Sequence, residues 1–129
     1  MNNLPGNLKI FIPGNVPSSK NSKQWTGKYL VSSKSTAKYV KASVLYWQKY
    51  QKRFLKMIEG KEKPYKIGLY FIRDSHRRFD LINAAQLPCD LMVKNEWIDD
   101  DNASEIIPVF LGFEVDKINA GIIITILDN

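Results

Sequence analysis

The spacing of apolar positions switches between two and three-to-four along this chain, and each switch marks an element. Leu8, Ile10 and Ile12 alternate with Lys9 and Phe11, which predicts a short strand closed by Pro13-Gly14. Residues 15–28 are polar and predict a loop, after which Leu30 and Val31 predict a short extended piece. Ser32, Ser33 and Ser35 follow, the residue type whose side-chain oxygen accepts from the free N–H groups that open a helix. Over residues 36–58, Val40, Val44, Trp47, Phe54 and Ile58 recur at three, four and seven, and predict one long amphipathic helix. Gly60 and Pro64 stop it.

From Lys66 to Arg73 the period returns to two, with Ile67, Leu69 and Phe71 on one face of a strand. Residues 74–78 predict a polar loop. Residues 81–94 predict a second helix that turns Ala84, Leu87, Leu91 and Val93 inward. Pro88 falls inside it, where the missing N–H and the ring together cost about 3 kcal/mol in a regular helix, so a kink is expected. A compact acidic turn, Glu96 to Asn102, ends this region. Residues 106–113 and 121–127 then predict two strands, and the short link between them predicts antiparallel neighbours in a hairpin. The expected fold is one α/β (α+β) domain over residues 1–129, a small mixed β-sheet with two helices on one face.

Charge changes that picture because of where it sits. Residues 1–58 hold eleven Lys and Arg and no Asp or Glu; the rest hold eight basic and thirteen acidic side chains. A basic half attracts a phosphate backbone, and each lysine–phosphate contact releases condensed counterions. The basic loop 15–28 contributes Lys20, Lys23 and Lys28, with Trp25 among them as a surface on which a base could stack. Arg77, Arg78 and Lys94 extend the candidate nucleic-acid surface beyond the basic half.

One Cys, Cys89, and one His, His76, exclude an internal disulfide and a zinc site built from these residues alone. The apolar runs are far shorter than a membrane span, so no membrane partner is expected. The first residues show no secretory pattern, so a cytoplasmic protein is expected, nucleoid-associated or in a phage-infected host. The acids of the second half are the remaining candidate chemistry. Asp99, Asp100 and Asp101 stand in a row, and confined carboxylates repel unless a cation or solvent relieves them. All-oxygen donors suit Mg²⁺, with Mn²⁺ as a substitute. Asp80 is the natural second ligand, unless it simply caps the second helix.

Three stretches together carry a resemblance to a known family. They are Ile12-Pro13-Gly14-Asn15-Val16-Pro17-Ser18-Ser19-Lys20-Asn21, then Arg77-Arg78-Phe79-Asp80-Leu81-Ile82-Asn83 with Asp90 seven residues on, and finally Trp97-Ile98-Asp99-Asp100 before Ile106-Ile107. In order and spacing they resemble the RusA-type Holliday junction resolvases, small phage and prophage endonucleases. That resemblance implies a homodimer that binds branched double-stranded DNA and cuts four-way junctions by metal-dependent hydrolysis, with no organic cofactor. It implies that Asp80 and Asp100 are catalytic, with Asp90 or Asp99 assisting. A metal site on this chain would then use Asp80 and Asp100 with one of Asp90, Asp99 or Asp101. The chain departs from the pattern at two places: Ile82 stands at a family aspartate and Gln86 at a family lysine. Two expectations therefore stay open, a re-formed metal site or a junction-binding protein that does not cut.

Overall fold

The computed structural model describes residues 8–18, 23–25, 30–32 and 34–128, the two short strands 23–25 and 30–32 by backbone alone. Six strands and three helices follow in the order β1 (Lys9–Pro13), β2 (Lys23–Trp25), β3 (Leu30–Ser32), α1 (Lys34–Lys49), α2 (Gln51–Met57), β4 (Tyr65–Arg73), α3 (Leu81–Lys94), β5 (Ile106–Val115) and β6 (Gly121–Leu127). Four strands form a mixed sheet in the order β1-β6-β4-β5, and β2 with β3 makes a separate two-stranded ribbon. The small mixed sheet carrying helices is the predicted α+β fold.

Register explains the core. Ile10 and Ile12 lie opposite Ile124 and Ile122, and those in turn lie opposite Leu69 and Phe71. Partners across a ladder share a face, so these six form one apolar surface with Ile67. On it pack Trp47 of α1, Phe54 of α2, and Ala84, Leu91 and Met92 of α3, in one buried cluster. The helices therefore lie on one side of the sheet, as their single apolar stripes require.

Two expectations are corrected. β5 and β6 are not neighbours: β4 lies between them, parallel to β5 and antiparallel to β6. The helix α3 joins β4 to β5, and a strand reached through a helical crossover starts from the same end of the sheet and runs parallel. β6 carries the continuous run Ile122-Ile123-Ile124, buried on both faces as a central strand must be, and so sits inside the sheet rather than at the end of a hairpin. The loop 116–120 crosses the end of β4 and is pinned there, with Asp116 N donating to Arg73 O and Gly14 N to Ala120 O.

The long helix is also two helices, interrupted at Tyr50. The carbonyl of Trp47, which the i→i−4 pattern assigns to residue 51, accepts the indole N–H of Trp97 at 2.7 Å. A side chain inserted into the ladder breaks a helix at that point. The inward face differs in detail too: Thr36, Tyr39 and Ser43 are buried on α1, and Val44 is only half-buried.

α3 matches its predicted bounds and runs on through Pro88, which is buried. Asp80 caps it, its Oδ1 accepting from the backbone N–H of Ile82 at 2.9 Å and of Asn83 at 3.4 Å. At the other end Glu96 N donates to Val93 O and Trp97 N to Met92 O, while Glu96 takes φ +62°. This pair of bonds around a left-handed residue is a Schellman stop. It turns the chain so that Trp97 enters the core and stacks on Phe54 at 5.1 Å between ring centroids. No helix among the described residues is long and apolar enough to cross a membrane.

Candidate nucleic-acid interface

β6 is antiparallel to both β1 and β4, so β1 and β4 end at the same edge of the sheet; Pro13 and Ile72 both lie opposite Gly121. The segments that leave these strands, residues 14–18 and 73–78, meet the first half of α1 and enclose a cavity of about 910 Å³. Lys38, Arg73, Arg77 and Arg78 are its cationic walls, and Asp74 is its single carboxylate. Gly14, at φ +112°, makes the turn out of β1 against the Tyr39 ring, which a Cβ there would meet at 3.4 Å.

Arg73 is the unusual member. As the last residue of β4 it points to the core side of the sheet and is only 7% exposed. One guanidinium nitrogen donates to Val16 O, and the guanidinium carbon lies 4.5 Å over the Phe79 ring. Phe79 also makes an edge-on contact with Phe113 at 5.1 Å between ring centroids. Burial holds the Arg73 pKa below its ordinary value, with Asp74 pulling weakly the other way. Beside it Tyr39 is buried, its hydroxyl without a hydrogen-bond partner among the described residues, and burial pushes its pKa up. Arg77 and Arg78, predicted as phosphate contacts, are thus brought to this cavity together with Arg73 and Lys38, which the charge-count reading did not single out. The available signal was Arg73 itself, a cation closing an apolar strand on its buried face.

The other predicted contacts are scattered. Lys20 and Lys28 lie outside the described residues, and Lys23 and Trp25 are described by backbone only, within β2. Lys94 is exposed in the last turn of α3, and His76 is exposed in the loop after β4. The exposed lysines of α1 and α2, among them Lys38, Lys41, Lys49, Lys52 and Lys56, form no salt bridge among the described residues. The three bridges there use Lys61 with Asp128, and Lys63 with Asp99 and Glu105.

The acids follow Arg78 along the chain. Asp80 caps α3 through Oδ1 alone. A second, more apolar hollow of about 350 Å³ lies between α3 and β5, lined by Leu81, Ile82, Gln86, Cys89, Phe110 and Asp101. Asp101 is thus the acid of the triplet that shares a hollow with Ile82 and Gln86. Asp100 builds its own turn instead, Oδ1 accepting from Asp101 N at 2.8 Å and Oδ2 from Asn102 Nδ2 at 2.9 Å, and these bonds hold its carboxyl below the usual range. Asp99 is held by Lys63 at 3.2 Å, and Asp90 is exposed on α3. Among the described residues no three of His, Cys, Asp and Glu gather as a metal cluster. The donor chemistry suits Mg²⁺, which needs only one or two carboxylates when phosphate oxygens complete its shell. Asp80 does not line the hollow that Asp101 lines, and no closed protein cage for an ion forms among the described residues.

No family model matches the chain, and no curated protein does.

Proposed function

We propose that this protein binds the phosphodiester backbone of branched DNA. The observation that carries the proposal is the unneutralised basic surface: exposed lysines along α1 and α2, free of salt bridges among the described residues, lead at one end into the cavity of Lys38, Arg73, Arg77 and Arg78. Contacts of this kind position a duplex and carry little base sequence. The resemblance to RusA-type resolvases supplies the four-way junction as the preferred DNA and a homodimer as the binding unit, because a two-fold dimer matches a two-fold substrate.

A second reading, hydrolysis of that DNA, is favoured by the placement of Asp80, two residues beyond the cavity-lining Arg78 and with Oδ2 outside its cap. Mg²⁺ or Mn²⁺, when bound there, would acidify a water and offset charge on the phosphoryl oxygens. Arg77 and Arg78 would hold the strand, and Asp80 would orient the water at its phosphate.

The test is binding of a synthetic four-way junction across a salt series, followed by nicking in Mg²⁺, Mn²⁺ and EDTA. Log affinity is expected to fall linearly with log salt, with the junction bound more tightly than a linear duplex of equal length. Affinity indifferent to salt removes the binding proposal. Salt-sensitive binding without nicks in either metal leaves binding and removes hydrolysis.

A further inference from the structure

Among the described residues Arg73 is a buried cation in no salt bridge, with Asp74 alone acting on it electrostatically. Its guanidinium has five N–H donors, and among the described residues only the one to Val16 O is engaged. No salt bridge includes it, although Asp74 is its neighbour in sequence. Residues 1–58, which include all but the last of the residues outside the described ones, contain no Asp or Glu. A desolvated charge left without a counter-charge is expensive, and proteins normally pair it. Here three more cations, Lys38, Arg77 and Arg78, line the same cavity against the single carboxylate of Asp74, which would be the reverse of a structural pairing. The polar groups of Ser18 and Asn15 also line it, and the buried Tyr39 hydroxyl has no hydrogen-bond partner among the described residues.

We propose that this cavity is a seat for one phosphate group, with Arg73 as its buried anchor and Lys38, Arg77 and Arg78 as its rim. A planar guanidinium presents a fork of donors that matches phosphate oxygens, and its contact on Phe79 holds that fork in orientation before any ligand arrives. The depth of Arg73 sets what can reach it. A phosphate on the outside of a duplex meets the exposed rim, whereas contact with a side chain 7% exposed requires a phosphate that enters the cavity, from an unpaired strand at a branch or from a strand end. The inference deepens the DNA-binding reading and rests on it for the source of the phosphate, but the seat itself is testable without DNA.

Thermal unfolding of the full chain would be followed in inorganic phosphate and in chloride of equal ionic strength. Phosphate is expected to raise the midpoint by about 3 °C or more near saturation, and chloride not to. Arg73→Gln retains an N–H for Val16 O and is expected to lose the phosphate effect. Lys38→Gln, at an exposed rim position that folding does not need, is expected to weaken apparent phosphate affinity about tenfold. A 5′-phosphorylated tetranucleotide and its 5′-hydroxyl form then distinguish the source: a strand end gives tighter binding of the first, an internal backbone phosphate gives equal binding, and in both cases Lys38→Gln weakens it. The proposal is overturned if wild type shows no phosphate-specific shift, or if Lys38→Gln and an Arg77→Gln/Arg78→Gln double variant respond as wild type does. Junction binding that survives such a result leaves the DNA-binding reading standing, and a phosphate effect without junction binding removes that reading alone.

Discussion

The indole N–H of Trp97 donates to the backbone carbonyl of Trp47 across fifty residues of chain, at 2.7 Å. The two rings lie 5.2 Å apart, and the bond falls where α1 gives way to α2. It couples the stop of α3 to the break in the long helix, so the acidic turn that follows Trp97 is positioned from the core. Trp97→Phe keeps the stacking on Phe54 but removes the donor, with an expected loss of about 1–2 kcal/mol. Trp97→Ala also leaves a cavity and is expected to lose about 3–5 kcal/mol. Urea unfolding of the two variants checks both values, and equal losses would deny the hydrogen bond a separate role.

Glu96 occupies a left-handed conformation, at φ +62°, that glycine adopts without a Cβ penalty. Glu96→Gly is expected to stabilise the protein by about 0.5–1 kcal/mol, since relief of strain exceeds the added freedom of the unfolded chain. A lowered urea midpoint would show that the Glu96 side chain contributes more than its backbone costs.

Asp80 offers two separable properties, a cap and a charge. Asp80→Asn keeps an oxygen for the N–H groups of Ile82 and Asn83 and is expected to leave stability within about 0.5 kcal/mol. Asp80→Ala removes the cap and is expected to cost about 1 kcal/mol. If the junction is nicked in Mg²⁺, both variants are expected to abolish nicking while retaining junction binding. Nicking preserved in Asp80→Asn would take the carboxylate out of the chemistry.

Ile82 is 77% exposed on the first turn of α3, so an acid can replace it without burying charge. Ile82→Asp is expected to gain about 0.3–1 kcal/mol from the helix dipole. It would also set a carboxylate on the groove that Asp101 lines, and is expected to tighten Mn²⁺ binding measured by calorimetry. Unaltered Mn²⁺ affinity would separate this groove from any metal chemistry.

Stability is expected to fall on both sides of a broad plateau. The Asp116 carboxyl lies below its ordinary pKa because Asn119 donates to it from side chain and backbone, with Ile118 N adding a third bond. Such a group stabilises the fold above the unfolded carboxylate value, about 3.9, and the contribution is lost as pH falls through the lowered folded value. Lys63 lies above its ordinary value because of Glu105 first and Asp99 second. Its contribution is complete below the unfolded lysine value and lost as pH rises through the raised one. Thermal midpoints across pH should therefore drop in acid and in strong alkali. Asp116→Asn should flatten only the acid limb, and an unchanged acid limb would assign the loss to other carboxylates.

Local pattern alone was sufficient for β1, β4, α3, β5 and β6, but not for β2, which lies within the expected loop 15–28. Helix α3 could be bounded at Leu81 and Lys94 because its apolar spacing continues through Pro88 and a candidate cap, Asp80, precedes it. The core face of β4 was equally legible, since Ile67, Leu69 and Phe71 alternate with partners of the other face. The basic half and the Arg77-Arg78-Phe79-Asp80 stretch marked the end of the molecule where the cavity lies. Which strands pair was decided only in three dimensions, because a five-residue link between β5 and β6 looks the same whether it closes a hairpin or crosses the end of β4. The break at Tyr50 was invisible for a like reason: it depends on an indole fifty residues away competing for one carbonyl. So too with the acids, where position along the chain gave three equivalent aspartates. Backbone turns and Lys63 divided them, engaging Asp100 and Asp99 and leaving Asp101 against the groove of α3, because each carboxylate takes the hydrogen bonds that its own place in the folded turn presents.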